Sequence, residues 1–228
     1  MTLRRRTFLA GTALFLSGCA SLSGSNDTTT ATNSNSNSKT LDDFPAARGI
    51  DNQPTLGPQP GTADRTVIAF EDPSCHYCGR FERDTFPKIE SNYIDSGKLS
   101  FVSRFAVAPI QPWGTPAAEA LEATYARNES VFWTLKEHYF AEQDTFSESN
   151  VLSKTKSFLE SNTDVDAAAV VDDAKNEAYE GALSKDQRAA SAAGVEGVPS
   201  FFVFDGGTLS TSITGAQPYS VFEKALGE

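Results

Sequence analysis

Thr66-Val67-Ile68-Ala69-Phe70-Glu71-Asp72-Pro73-Ser74-Cys75-His76-Tyr77-Cys78 is the stretch that decides the fold of this 228-residue chain. Its first five residues are β-branched or apolar, the composition of a buried strand. Cys75 and Cys78 then stand where a helix opens, and the third cysteine, Cys19, lies far upstream. A matched pair of thiols at a strand-to-helix junction reads as a redox centre.

The pattern extends on both sides of this stretch. Residues 78–96 carry Phe81, Phe86, Ile89, Tyr93 and Ile94 at helical spacing, with Pro87 expected to kink or interrupt the helix and Gly97 to stop it. Residues 99–105 alternate and predict a second strand. Strand, helix and strand make a βαβ unit, which requires a right-handed crossover and a parallel, covered pair. Residues 114–193 are rich in Ala, Glu and Lys with apolar residues three and four apart, and predict four or five consecutive helices. Residues 198–204 predict a strand opened by Pro199. Asp205-Gly206-Gly207 predicts a turn, 208–214 the returning hairpin strand, and 218–226 a last helix. Upstream, the Pro- and Gly-rich residues 41–65 predict an irregular lead-in with one short edge strand near Thr55-Leu56.

The chemistry of the pair follows from its position. Two residues of spacing let the sulfurs reach disulfide distance within one helical turn. The helix N-terminus offers unsatisfied N–H groups and partial positive charge, which favour a thiolate on the first cysteine. Cys75 is therefore expected to be the exposed nucleophile and Cys78 the buried resolving thiol. A substrate thiolate would attack the disulfide, form a mixed disulfide through Cys75, and leave oxidised when a second thiol attacks; reversal of these steps reduces or isomerises. A metal site would need two further ligands, and the chain holds only His76 and His138. No metal is expected; a static structural disulfide across the tight loop is the other alternative.

The N-terminal residues read as an address. Arg4-Arg5-Arg6 precedes an apolar stretch too short to span a membrane as a mature helix, so residues 1–18 are expected to be a signal peptide. Arg5 and Arg6 fit a twin-arginine export signal, and Leu16-Ser17-Gly18-Cys19 fits a lipoprotein cleavage box that would lipidate Cys19. An ordinary signal peptide with a chance cysteine is the alternative. Residues 19–45 are expected to be a disordered tether: 15 of the 21 residues from 20 to 40 are Ser, Thr or Asn. A flexible segment of that size has a reach of about 25–30 Å. The folded domain is placed at 46–228, outside the cell and held to the outer face of its membrane by lipid.

The formal net charge of −11 is spread over the whole domain, which excludes the basic footprint of a nucleic-acid binder. A large acid excess suits a high-salt organism, and with the tether composition it points to a haloarchaeal source. Asn26-Asp27-Thr28 and Asn128-Glu129-Ser130 fit the glycosylation acceptor pattern. His138, Trp113 and Trp133 are expected to pack rather than react.

The stretch from Thr66 to Cys78, together with Gly197-Val198-Pro199-Ser200-Phe201-Phe202-Val203, resembles the DsbA-type branch of the thioredoxin superfamily over about residues 50–228. Phe132-Trp133 and His138-Tyr139-Phe140 resemble the aromatic helix of its insertion. The resemblance implies an α/β thioredoxin fold, a central mixed sheet covered by helices, with an inserted helical domain at about 112–193. It implies a cis Val198–Pro199 bond facing the cysteines, with the Val198 backbone offered to an extended substrate. It also implies unfolded or reduced exported proteins as substrates, a membrane redox partner for recycling, and no cofactor. Two departures bear on redox poise. His76-Tyr77 stands where strong oxidants of the family carry Pro-His, with His76 next to Cys75. Ala69 stands where relatives carry a buried carboxylate; Glu71, two residues on and on the same strand face, is the expected substitute. His76, Tyr77 and Glu71 are thus candidate redox-tuning residues. Disulfide formation is the expected direction, because disulfides persist outside the cytoplasm. A reductase or isomerase with the same site, and a non-catalytic binding module on the same scaffold, are the alternatives.

Overall fold

The computed structural model describes residues 39–105 and 109–227. The signal peptide, Arg5, Arg6, Cys19 and most of the tether lie outside the described residues. Five strands form one sheet: β1 (Thr55–Leu56), β2 (Arg65–Glu71), β3 (Leu99–Phe105), β4 (Ser200–Asp205) and β5 (Thr208–Thr214). Their order is β1-β3-β2-β4-β5. β2 and β3 pair in parallel, with Val67 opposite Phe101. β1 on β3, β4 on β2 and β5 on β4 are antiparallel, so the sheet is mixed.

Strand periodicity divides the core between the two sheet faces. Val67 and Ala69 point to one face, where they meet Phe81, Phe101, Phe201 and Phe222. Ile68 and Phe70 point to the other and meet Phe202, Phe204, Ala189 and Ala190. The first face is covered by α1 (His76–Asp84), α2 (Phe86–Ile89) and α8 (Tyr219–Leu226). Pro87 does interrupt the helix: α1 stops at Asp84, α2 restarts with Pro87 in its first turn, and Glu90–Ile94 forms a π-helical turn.

The middle of the chain forms five helices: α3 (Gly114–Tyr125), α4 (Glu129–Ala141), α5 (Val151–Asn162), α6 (Ala167–Lys175) and α7 (Glu180–Ala193). α3 to α6 share a core built on Leu121, Phe132, Leu135, Tyr139, Leu159 and Val170. Only the first turn of α7 joins them, through Leu183; Ala189 and Ala190 further along cover the sheet. The helical insertion placed at 112–193 therefore gives its last helix to the second face of the sheet.

The tether boundary at residue 45 needs correction. Leu41 and Phe44 are buried on that second face, Phe44 with its ring 5.0 Å from that of Phe202. Phe44 finds Phe202 and Phe204 on β4 and Leu41 joins the same cluster, so packing begins before residue 46. Arg104 fixes the same region. Its guanidinium is buried, donates to Asp186 on α7 at 2.8 and 3.0 Å, and reaches the carbonyls of Ala46 at 2.6 Å and Arg48 at 2.9 Å. Asp186 also accepts from the Phe105 N–H at 3.0 Å. A desolvated pair needs such additional bonds to be sustained, and here they tie the lead-in, β3 and α7 together.

Candidate active site

Cys75 is the N-cap residue of α1, with extended backbone (φ −81°, ψ 118°). An N-cap side chain faces the N–H groups of the second and third helical residues, here Tyr77 and Cys78. Both cysteines are free thiols. The Cys75 thiol is pulled down to about 6, chiefly by the hydrogen bond from the Cys78 thiol; burial opposes this, while the backbone N–H groups of Cys78 and Tyr77 assist. Cys78 is pushed well above its ordinary value by burial, by its bond to Cys75 and by the charge of Glu71. The two thiols thus differ in acidity, Cys75 lowered and Cys78 raised.

Exposure departs from expectation at Cys75. Only 4% of the residue is exposed, against 0% for Cys78. The N-cap geometry turns its sulfur onto the helix end. Val198 and Phe140 pack against the pair, and the Val198 carbonyl oxygen lies 3.6 Å from Cys75 Sγ. The Val198–Pro199 bond is cis. His76 and Tyr77 are exposed, Tyr77 with the Arg80 guanidinium 5.1 Å above its ring. The leading contributions to the Cys75 thiolate come from Cys78 and backbone N–H groups rather than from His76.

The turn before the pair is fixed by Asp72. Its carboxylate accepts from the Ser74 N–H and hydroxyl at 2.8 Å and from the Ile110 N–H at 2.6 Å, and the Ser74 hydroxyl accepts from the Gln111 N–H. α3 starts against this knot at Gly114, where an added Cβ would stand 2.7 Å from Ser74 Oγ and 2.8 Å from Asp72 Oδ1.

Glu71 is fully buried and belongs to a group that sequence reading assembled only in part. Lys136 of α4 places Nζ 2.9 Å from Glu71 Oε2 and 2.5 Å from Glu82 Oε1 of α1. The ammonium also stands over the rings of Phe140 at 5.1 Å and Trp133 at 5.4 Å. Burial works against the charged lysine, but Glu71 and Glu82 outweigh it and hold it protonated. Two carboxylates share one cation. Burial and the charge of Glu71 push Glu82 up to about 8 despite Lys136, so this group carries a proton at neutral pH. The sequence signal was available: Lys136 sits at i+4 from Phe132 and i−4 from Phe140, inside an apolar stripe. His138 is half-buried and stacks on Phe158 with centroids 3.9 Å apart. Trp113 is in the helical core. Among the described residues no cluster of His, Cys, Asp and Glu could hold a metal ion, and no helix is long and apolar enough to cross a membrane.

The family model described as Thioredoxin matches residues 50–225. The chain belongs to the thioredoxin family. It is similar to disulfide bond formation protein D of Bacillus subtilis, with 28% identity over 158 residues covering 68% of this chain and 69% of that one. Among solved structures, oxidised BdbD of Bacillus subtilis superposes with a TM-score of 0.67 at 26% identity, over 78% of this chain and 95% of that one. DsbA of Chlamydia trachomatis superposes with a TM-score of 0.65 at 20% identity, over 76% and 89%, a likeness of fold. The architecture is thus a thioredoxin-like fold, a central mixed sheet with eight helices among the described residues.

The thiol geometry predicts a pH profile. The ultraviolet thiolate absorbance of the reduced protein should rise with a midpoint near pH 6, where Cys75 titrates, and Cys75→Ser should lack this step. Because the folded value lies below the ordinary 9.0, the thiolate stabilises the reduced fold in full above about pH 9 and loses that contribution as pH falls through about 6. Glu82 and Glu122, both raised to about 8, act with the opposite sign. The Cys75 contribution is therefore read as the difference between wild type and Cys75→Ser; a difference independent of pH contradicts it.

Proposed function

We propose that this protein is a thiol–disulfide oxidoreductase that forms disulfides in exported proteins through Cys75 and Cys78. The observation that carries the reading is the pair of free cysteines opening α1, with the Cys75 thiol lowered to about 6, Cys78 raised, and the cis Val198–Pro199 bond beside Cys75 Sγ. A good thiolate is a good leaving group and stabilises the reduced state, which makes the disulfide an oxidant. In the forward reaction a substrate thiolate attacks Cys75 Sγ of the disulfide and Cys78 leaves with the electron pair. Cys78 then takes up a proton, and the Glu71–Lys136–Glu82 group, which holds one at neutral pH, is the nearby source. A second substrate thiolate attacks the substrate sulfur of the mixed disulfide and releases Cys75. The substrate has lost two electrons and the enzyme has gained them, to be passed to a membrane redox partner. Val198 and Pro199 border the groove for the extended substrate, and His76 and Tyr77 form its exposed rim. Arg5, Arg6 and Cys19 support export and lipid anchoring on the outer face of the membrane, and the acid excess supports a haloarchaeal setting. Disulfide bond formation protein D, the similar Bacillus protein, carries the same activity in its name.

The mixed disulfide is tested with Cys78→Ser. The reduced variant, mixed with a disulfide-scrambled protein, should accumulate a covalent adduct at Cys75, because no resolving thiol is left to break it. The adduct should appear on a non-reducing gel and vanish with dithiothreitol. Its absence, with Cys75 still open to alkylation, contradicts the proposed route.

A further inference from the structure

Gln143 lies in the short 3-10 turn that follows α4. Its Nε2 donates to the carbonyl of Pro73 at 2.8 Å and to that of Cys75 at 2.9 Å. Two carbonyl partners fix the orientation of the amide, because only the nitrogen end can donate to both. The oxygen end then lies against Gly79 in the first turn of α1, where an added Cβ would stand 2.0 Å from Oε1. That oxygen is buried and has no hydrogen-bond partner among the described residues. A buried unpaired acceptor is uncommon in native structures and calls for a reason. Here the reason is the pair of bonds made by the other end of the amide.

The two carbonyls are the ones that determine how Cys75 meets the helix. The Cys75 carbonyl is the first acceptor of α1, bonded to the Gly79 N–H at 3.1 Å. Its direction sets the Cys75 backbone, and with it the line from Sγ to the N–H groups of Tyr77 and Cys78. The Pro73 carbonyl lies two residues earlier, so one amide spans the turn from both ends. The Asp72 and Ser74 bonds hold the same turn from the side of residues 110–111, while Gln143 holds it from the helical unit. Nothing in the motif around the cysteines announces this partner, which is 68 residues away.

We propose that Gln143 is a positioning residue for thiol–disulfide exchange: its side-chain amide locks residues 73–75 and so aims Cys75 Sγ at the N–H groups of α1. This rests on the oxidoreductase reading of the same site. Without the lock the turn can relax, the N–H groups lose their aim, and the thiolate loses support. Gly79 is the matching half of the device, since any side chain there would push the amide off both carbonyls.

The test compares Gln143→Met, Gln143→Lys and Gln143→Glu as full-length reduced proteins. Methionine keeps length and removes the donor; lysine restores a donor; glutamate puts an acceptor against two carbonyls. The readouts are the pH midpoint of thiolate absorbance and the equilibrium with glutathione, which a merely structural role would leave in place. Gln143→Met should raise the midpoint by up to about one pH unit and move the glutathione equilibrium by up to about tenfold towards the disulfide, or up to about 30 mV for this two-electron couple. Gln143→Glu should shift at least as far, and Gln143→Lys should stay at the wild-type midpoint. A folded Gln143→Met with an unchanged midpoint overturns the proposal, as does an equal shift in the lysine variant. If the methionine variant does not fold, the lysine and glutamate variants alone decide, and equal midpoints in those two overturn it. A wild-type protein without any depressed midpoint would refute the redox reading itself, a separate failure.

Discussion

Cys75→Ser is expected to reduce thiol–disulfide exchange to the uncatalysed background while leaving the fold intact. Cys75 stands at the N-cap of α1 and makes no side-chain cap hydrogen bond, and serine is among the residues preferred there, so the start of the helix is not weakened. The change removes one polarisable atom from a site walled by Val198 and Phe140 and adds no bulk. Chemistry is lost entirely, because a serine hydroxyl is not ionised at neutral pH and forms no disulfide. The assay is oxidative refolding of a reduced multi-disulfide protein under a limiting oxidant. Unchanged activity would eliminate the proposed mechanism and favour a binding module on this scaffold. Cys78→Ser should differ in kind, keeping a reactive Cys75 and stalling at the adduct.

The second large effect is at Lys136. Its ammonium is buried against two carboxylates, Glu71 and Glu82, in the core beside the cysteines. Lys136→Met preserves most of the volume but removes the cation that faces Glu71 and the protonated Glu82, and above about pH 8 it leaves both acids without one. Breaking a buried pair from one side costs about 3–5 kcal/mol, since the remaining charge is uncompensated. The cost has a sign in pH. The orphaned acids can escape by taking up protons, so the loss should be greatest in alkaline solution and shrink as pH falls. Adding Glu71→Gln and Glu82→Gln to Lys136→Met should recover most of the stability, because neutral amides remove the unpaired charge. Urea denaturation of the three proteins at acid and alkaline pH measures this. An equal loss at both pH values would mean that lost packing, rather than charge, dominates.

Much of this arrangement was legible in the chain. The run from Thr66 to Phe70 is β-branched or apolar at every position, and β2 is indeed buried on both faces between β3 and β4. The helical stretch broke where Pro87 required it to break. The edge strand at Thr55–Leu56 and the hairpin after Gly207 also stand where turn chemistry places them. The cis bond before Pro199 came from resemblance rather than from residue chemistry, and the structure contains it.

What periodicity could not carry were partners distant in the chain. Arg104 and Asp186 are 82 residues apart, and Gln143 is 68 from Cys75. Polar residues of that kind look like surface until the fold brings their partners in. Leu41 and Phe44 were lost for a related reason: isolated apolar residues in a polar segment show no period, and the cluster they join is built from distant strands and α7. Lys136 was the readable exception, a cation on the apolar stripe of Phe132 and Phe140. Cys75 was expected to be open to solvent because nucleophiles must be reached, yet the N-cap geometry that favours its thiolate also turns the sulfur inward. Glu71 is buried as the strand phase indicated, and its charge is among those that raise Cys78. His76 is exposed, while Cys78 and backbone N–H groups lead in lowering Cys75.

The most direct test of the central claim is the equilibrium between the Cys75–Cys78 couple and glutathione. The reduced state gains a stabilised thiolate, so the couple should be oxidising, with a potential closer to about −120 mV than to the roughly −270 mV of a reducing thioredoxin. The protein should be found largely reduced at glutathione ratios that leave a thioredoxin oxidised. A potential near or below about −270 mV would contradict the account, because the same two cysteines would then serve reduction.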